Sequence, residues 1–235
     1  MKVVRKRKRK GRFVMKTEAK FTPMELQNWS RGGVFYYFSK MAPTGYSVTV
    51  KMDITRMKAC LKEKGYKFFP AYLWLVTKTL SKQKEFMIAE VEGKLGYYNI
   101  LTPLYAAFHE DDKTFSLMWT QYDDDFKEFH RAYLEDQKQY GGQHGILSKG
   151  ELLPPPNAYT VSCLPWVSFE HFATHSYENK AYYFPSIEAG KFYEEVERIW
   201  LPLSLTCHHA ATDGYHVGRF LDELQKEMNA FDRYL

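Results

Sequence analysis

No stretch of this sequence constrains its fold as much as Phe68–Leu80, which is apolar on nearly every side of a helix, with Lys67 before it and only Lys78 inside. A helix that is apolar all round has to be buried. It is nonetheless too short to cross a bilayer, which takes ~20 consecutive apolar residues, and no other window of the chain is more apolar. No membrane partner is expected. The segment must lie inside a globular core, with Pro70 opening its helix, and 235 residues are enough to enclose it.

The flanking patterns show what encloses it. From Ser47 to Ile54 apolar residues (Val48, Val50, Met52, Ile54) alternate with polar ones (Thr49, Lys51, Asp53), as in a half-buried strand. Thr55 is placed to cap a short helix that stops at Gly65, with Lys62 and Lys64 in its last turn. Hairpins are expected at Glu92-Gly93-Lys94 and at Glu110–Lys113. Phe126, Phe129, Tyr133, Leu134 and Tyr140 recur at helical spacing. Strands are expected around Thr160–Leu164 and from Trp200 to Cys207, and Val217, Phe220, Leu221, Leu224 and Met228 mark one face of a closing helix. Strands and helices mix without regular alternation, which predicts a two-layer α+β fold: a mostly antiparallel or mixed sheet with helices packed on one side.

Residues 1–14 carry eight Lys and Arg and no acidic residue, so the net charge of +5 hides an acidic remainder. The expected division is a basic, solvated extension over 1–14 and one domain over 15–235, and no nucleic-acid partner is expected because the rest of the chain has no matching basic motif. Cys60, Cys163 and Cys207 are odd in number and far apart, which predicts neither disulfides nor a zinc site and fits a reducing, cytoplasmic setting.

The run Leu201–Gly214 carries the chemistry: a strand leads into His208-His209, then Asp213-Gly214, the pattern H-H-x-x-x-D-G. Imidazole titrates near neutrality, so a histidine at a strand end can take a proton from a hydroxyl and return it to a leaving group. Asp213 is placed to bridge the turn, and Gly214 to allow a backbone that a Cβ would hinder. Paired histidines can equally be structural or bind metal. The other histidines form no ligand cluster in sequence, so no metal is expected.

The run His208-His209-Ala-Ala-Thr-Asp213-Gly214-Tyr-His216-Val217 resembles the signature of the chloramphenicol acetyltransferases. Further matches follow in the same order: Asn28-Trp29-Ser30-Arg31, Asp53-Ile54-Thr55, Lys67-Phe68-Phe69-Pro70, Phe108-His109, Ser162–Val167 and Leu201-Pro202-Leu203. The resemblance covers about residues 17–230. It implies a homotrimer with sites at subunit interfaces, acetyl-CoA as co-substrate and chloramphenicol as acceptor, a route to antibiotic resistance. By position, His209 would be the general base, Ser162 the donor to the oxyanion, and Asp213 with Arg31 a buried ion pair supporting the histidine loop.

The acceptor pocket departs from the family pattern. Phe38 stands where many relatives have Tyr, Thr44 falls near a position often held by Cys, and Glu188 replaces a threonine that acts on the transition state through water. A carboxylate there would oppose a developing oxyanion unless it is protonated or turned away. These changes keep open an O-acetyltransferase for another hydroxylated molecule. A non-catalytic trimeric scaffold is a further alternative, though it has no need of Arg31, Ser162, His209 and Asp213 together.

Overall fold

The computed structural model describes residues 18–175 and 182–235. Its strands are β1 (Phe21–Pro23), β2 (Gly45–Asp53), β3 (Ile88–Val91), β4 (Lys94–Tyr98), β5 (Thr102–Phe108), β6 (Phe115–Trp119), β7 (Ala158–Leu164), β8 (Ser186–Gly190), β9 (Tyr193–Glu195) and β10 (Arg198–His208). Its α-helices are α1 (Gly32–Tyr36), α2 (Thr55–Lys64), α3 (Phe68–Leu80), α4 (Phe126–Tyr140) and α5 (Gly214–Asn229). The large sheet runs β2-β10-β8-β7-β5-β6, with β9 paired to β10, and β1-β4-β3 forms a small second sheet. Both pairings of β7 are parallel, and the others are antiparallel. The α+β class with helices on one side thus holds, and the two expected hairpins prove to lie in different sheets.

Helix α3 is the centre of the core: Ala71, Tyr72, Leu73, Trp74, Leu75 and Val76 have no exposed surface. It packs on α4 and α5 and against β5. The helix begins at Phe68, two residues before Pro70, so proline occupies its first turn, where an amide proton is not needed. The cap of α2 differs from the sequence reading. Asp53, not Thr55, supplies the capping oxygen, accepting from the Thr55 amide at 3.0 Å and the Thr55 hydroxyl at 2.6 Å. Gly65 ends that helix at φ 74°, the left-handed conformation that glycine adopts without penalty.

The large sheet has two chemically different faces. Leu201, Leu203, Leu205 and Cys207 of β10, Ile187 and Ala189 of β8, and Tyr159 and Val161 of β7 point into the core. The alternate positions of the same strands, Ser204, Thr206, Ser186, Glu188, Thr160 and Ser162, form a hydroxyl-rich opposite face. Residues near Phe172 cover part of it: Ser204 Oγ donates to the Phe172 carbonyl, and the Phe172 amide donates to Thr49 Oγ1. No described helix is long and apolar enough to cross a membrane. The basic segment 1–14 lies outside the described residues.

Candidate active site

Strand β10 ends at His208, and the next amide, that of His209, donates to the carbonyl of Thr44 at 2.8 Å, so the chain turns outward against the start of β2. The imidazole of His209 then stacks on Phe38, with ring centroids 4.1 Å apart and 20° between planes, while Tyr46 meets it edge-on at 5.2 Å. Its Nδ1 lies 3.1 Å from the carbonyl oxygen of Thr212. A carbonyl can only accept, so Nδ1 carries a proton, and in the neutral ring the lone pair is then on Nε2. Two aromatic rings and one hydrogen bond thus fix the orientation of the imidazole. Sequence reasoning missed Thr212 and Tyr46; Thr212 lies inside the motif at a position whose backbone, not side chain, acts on the histidine.

Asp213 is the N-cap of α5, accepting from the Tyr215 amide at 3.0 Å, and it forms an ion pair with Arg31. His216 Nδ1 lies 2.9 Å from the same carboxylate. Burial pushes the Asp213 carboxyl up, but the hydrogen bond and charge of Arg31, helped by His216, hold it below the usual range. The pair is less buried than the sequence reading has it: the Asp213 side chain is 33% exposed and that of Arg31 14%. Beneath it a small cluster of Phe35, Ile88, Tyr183, Ala210 and Ala211 ties α1 to the histidine loop. Gly214 departs from expectation, because a Cβ there would meet nothing within 4 Å.

Ser162 and Glu188 form a second group. They are register partners on the parallel strands β7 and β8, and Glu188 is in turn opposite Ser204 of β10. Glu188 is 3% exposed, and its Oε1 accepts from Ser186 Oγ and, at 2.9 Å, from Thr174 Oγ1. Burial raises its carboxyl above the usual range, with the two hydroxyls opposing that only in part. The carboxyl that would oppose an oxyanion if charged is therefore held towards its neutral form.

The two groups are apart within one chain. Crossing from Ser162 through Glu188 to Ser204 takes two strand spacings of ~4.8 Å, and His208 lies four residues of ~3.4 Å further along β10, which separates the backbone positions by about 17 Å. A cavity of about 790 Å³ is lined by neighbours of both groups, Thr44, Tyr46 and His208 together with Thr160, Thr174 and Ser186. Of the three acceptor-pocket candidates, Phe38 and Thr44 thus belong to the histidine group and Glu188 to the serine group. His208, partly buried, borders the cavity, and burial followed by the neighbouring His209 lowers its affinity for a proton.

Among the described residues the fold assembles one group of potential metal ligands that the sequence spacing hides. His109, Asp111 and His144 bring one ligand atom each within 4.8 Å of one another. The two imidazoles are stacked, however, at 4.1 Å and 18°. Ring lone pairs in near-parallel planes do not converge on a single ion.

A sequence profile of the family described as "Chloramphenicol acetyltransferase" matches residues 19–225, leaving the basic segment outside. Over 207 residues the chain is 39% identical to a chloramphenicol acetyltransferase of Staphylococcus aureus, covering 88% of this chain and 94% of that one. Over 218 residues it is 35% identical to one of Clostridium perfringens, covering 92% and 98%. A solved chloramphenicol acetyltransferase shares the fold with a TM-score of 0.79, at 20% identity over 88% of this chain and 99% of that one. By both the profile and the extent of these relatives, the chain belongs to the chloramphenicol acetyltransferase family.

Proposed function

We propose that this protein transfers the acetyl group of acetyl-CoA to a hydroxyl of chloramphenicol and so inactivates the antibiotic. The observation that carries the reading is the fixed tautomer of His209, whose Nδ1 is committed to the Thr212 carbonyl and whose Nε2 is free. Nε2 takes the proton of the acceptor hydroxyl as its oxygen attacks the thioester carbon. The carbonyl oxygen gains negative charge and is met by the hydroxyl of Ser162, a donor of a kind typically worth ~2.7–4 kcal/mol in the transition state. Collapse of the tetrahedral intermediate breaks the C–S bond, and the imidazolium returns its proton to the leaving thiolate. Asp213 and Arg31 move no proton; they hold the loop that aims His209.

The reacting carbonyl must lie ~3 Å from both base and donor. About 17 Å between the backbone positions of Ser162 and His208 argues against a reaction centre shared within one chain. On this reading each site therefore combines His209 of one protomer with Ser162 of another, as the proposed homotrimer would allow. Large apolar side chains flank both halves: Tyr36, Tyr37 and Met41 beside Phe38, and Trp166 edge-on to Phe108 beyond the end of β7. Such surface is suited to burial between copies. Free Cys60, Cys163 and Cys207 fit a reducing, cytoplasmic location.

Incubation with isotopically labelled acetyl-CoA and chloramphenicol, followed by mass analysis, tests the reading. An O-acetylated chloramphenicol formed with an equal amount of free thiol supports it. Thiol release that equals hydrolysis without acceptor would refute it, and transfer to a different hydroxylated compound alone would move the assignment to that acceptor.

A further inference from the structure

The carboxyl of Glu188 is half satisfied. Its Oε1 accepts two hydrogen bonds, from Ser186 and Thr174, while Oε2 is buried with no partner. No cation of the described residues contributes to its environment, which consists of burial and those two hydroxyls. An ionised carboxylate in this position would lack both a counter-charge from the described residues and half of its hydrogen bonds, whereas a neutral acid forgoes only the one hydrogen bond of its hydroxyl. Two accepted bonds mark Oε1 as the carbonyl oxygen and place the acid proton on Oε2.

Ser186 and Thr174 also line the cavity, so Glu188 stands directly behind its wall. A hydroxyl has one proton and two lone pairs. With both protons turned inward to Oε1, only lone pairs remain for whatever occupies the cavity. The titratable groups that sense Glu188 from neighbouring elements are Tyr72 of α3 and Cys207 of β10; burial holds Tyr72 well above its ordinary value and pushes Cys207 up to about 12. His171 and His175 border the same cavity.

We propose that Glu188 is a neutral carboxylic acid that positions the cavity wall, turning Ser186 and Thr174 into hydrogen-bond acceptors that select ligands presenting hydroxyl or amide N–H donors. The choice of substrate for its test rests on the acetyl-transfer reading, but the protonation state does not. Glu188→Gln keeps the shape, the accepting oxygen and a donor in place of Oε2–H, whereas Glu188→Ala removes all three.

The experiment compares kcat and KM for chloramphenicol in wild type, Glu188→Gln and Glu188→Ala, and records the infrared difference spectrum of wild type against Glu188→Gln at pH 7. The expected result is a protonated-carboxyl band present only in wild type, a Gln variant within about threefold of wild type, and an Ala variant whose KM rises roughly five- to tenfold at similar kcat, the worth of about one hydrogen bond. An ionised-carboxylate band assigned to Glu188, or a Gln variant as impaired as the Ala variant, overturns the proposal. If wild type acetylates no chloramphenicol, the functional reading fails separately, and the infrared band still decides: a neutral acid at pH 7 upholds the proposal and a carboxylate overturns it.

Discussion

Mixing two inactive variants should restore acetyl transfer. On the proposed reading His209→Ala removes the base and Ser162→Ala the oxyanion donor, and with about 17 Å between the backbone positions of Ser162 and His208 in one chain, each site would draw them from different protomers. In a ring of three, every interface is heterologous and pairs one protomer's His209 with its neighbour's Ser162. In a trimer that holds both variants one interface of the three combines an intact His209 with an intact Ser162, so hybrids purified by both tags should show about a third of wild-type activity per protomer, and the unfractionated equal mixture about a quarter. Ser162→Ala alone should retain ~1/100 to 1/1,000 of wild-type kcat, so the hybrid would stand out by at least an order of magnitude. The assay is co-refolding of differently tagged variants, purification of hybrids carrying both tags, and measurement of thiol release. Hybrids no more active than the average of the parents would refute the shared-site argument.

Three further outcomes follow from the site. Arg31→Met should lower stability by less than the ~3–5 kcal/mol typical of breaking a fully buried pair, because a third of the Asp213 side chain is exposed and solvent screens it. Since the folded Asp213 carboxyl is depressed, its contribution is present above the ordinary carboxyl range and lost as pH falls through the folded value; thermal melts should show a flatter acid limb in Arg31→Met than in wild type. Glu188 has the opposite sign: its raised folded value means that wild type loses stability as pH climbs from the ordinary carboxyl range to that value, so the melting advantage of Glu188→Gln should grow across that window and then level off, and a constant difference would contradict it. A chain beginning at Met15 should keep full activity and assembly by thiol assay and light scattering, since the family match starts only at residue 19.

Much of this was legible in the sequence, for physical reasons. The all-round apolarity of Phe68–Leu80 dictated the central helix, and Glu92-Gly93 turns the β3–β4 hairpin with both residues at positive φ. The strand-to-loop-to-helix course of residues 201–214 fixed where His209 would stand. Strand β8 was not foreseen, because Ser186, Glu188 and Gly190 after Pro185 look like a loop; Glu188 fits the centre of a sheet only because hydroxyls meet its carboxyl. Arg31 and Asp213 are 182 residues apart and were paired only through the family resemblance. The distance between Ser162 and His209 depends on strand order, which local patterns do not encode.

The central claim is that His209 is the base of an acetyl transfer. The most direct measurement is turnover of chloramphenicol by His209→Ala, set beside its calorimetric affinity for acetyl-CoA. Turnover at background with affinity and assembly unchanged is expected, because the imidazole is needed to move a proton and not to hold the co-substrate. Turnover within tenfold of wild type would contradict it.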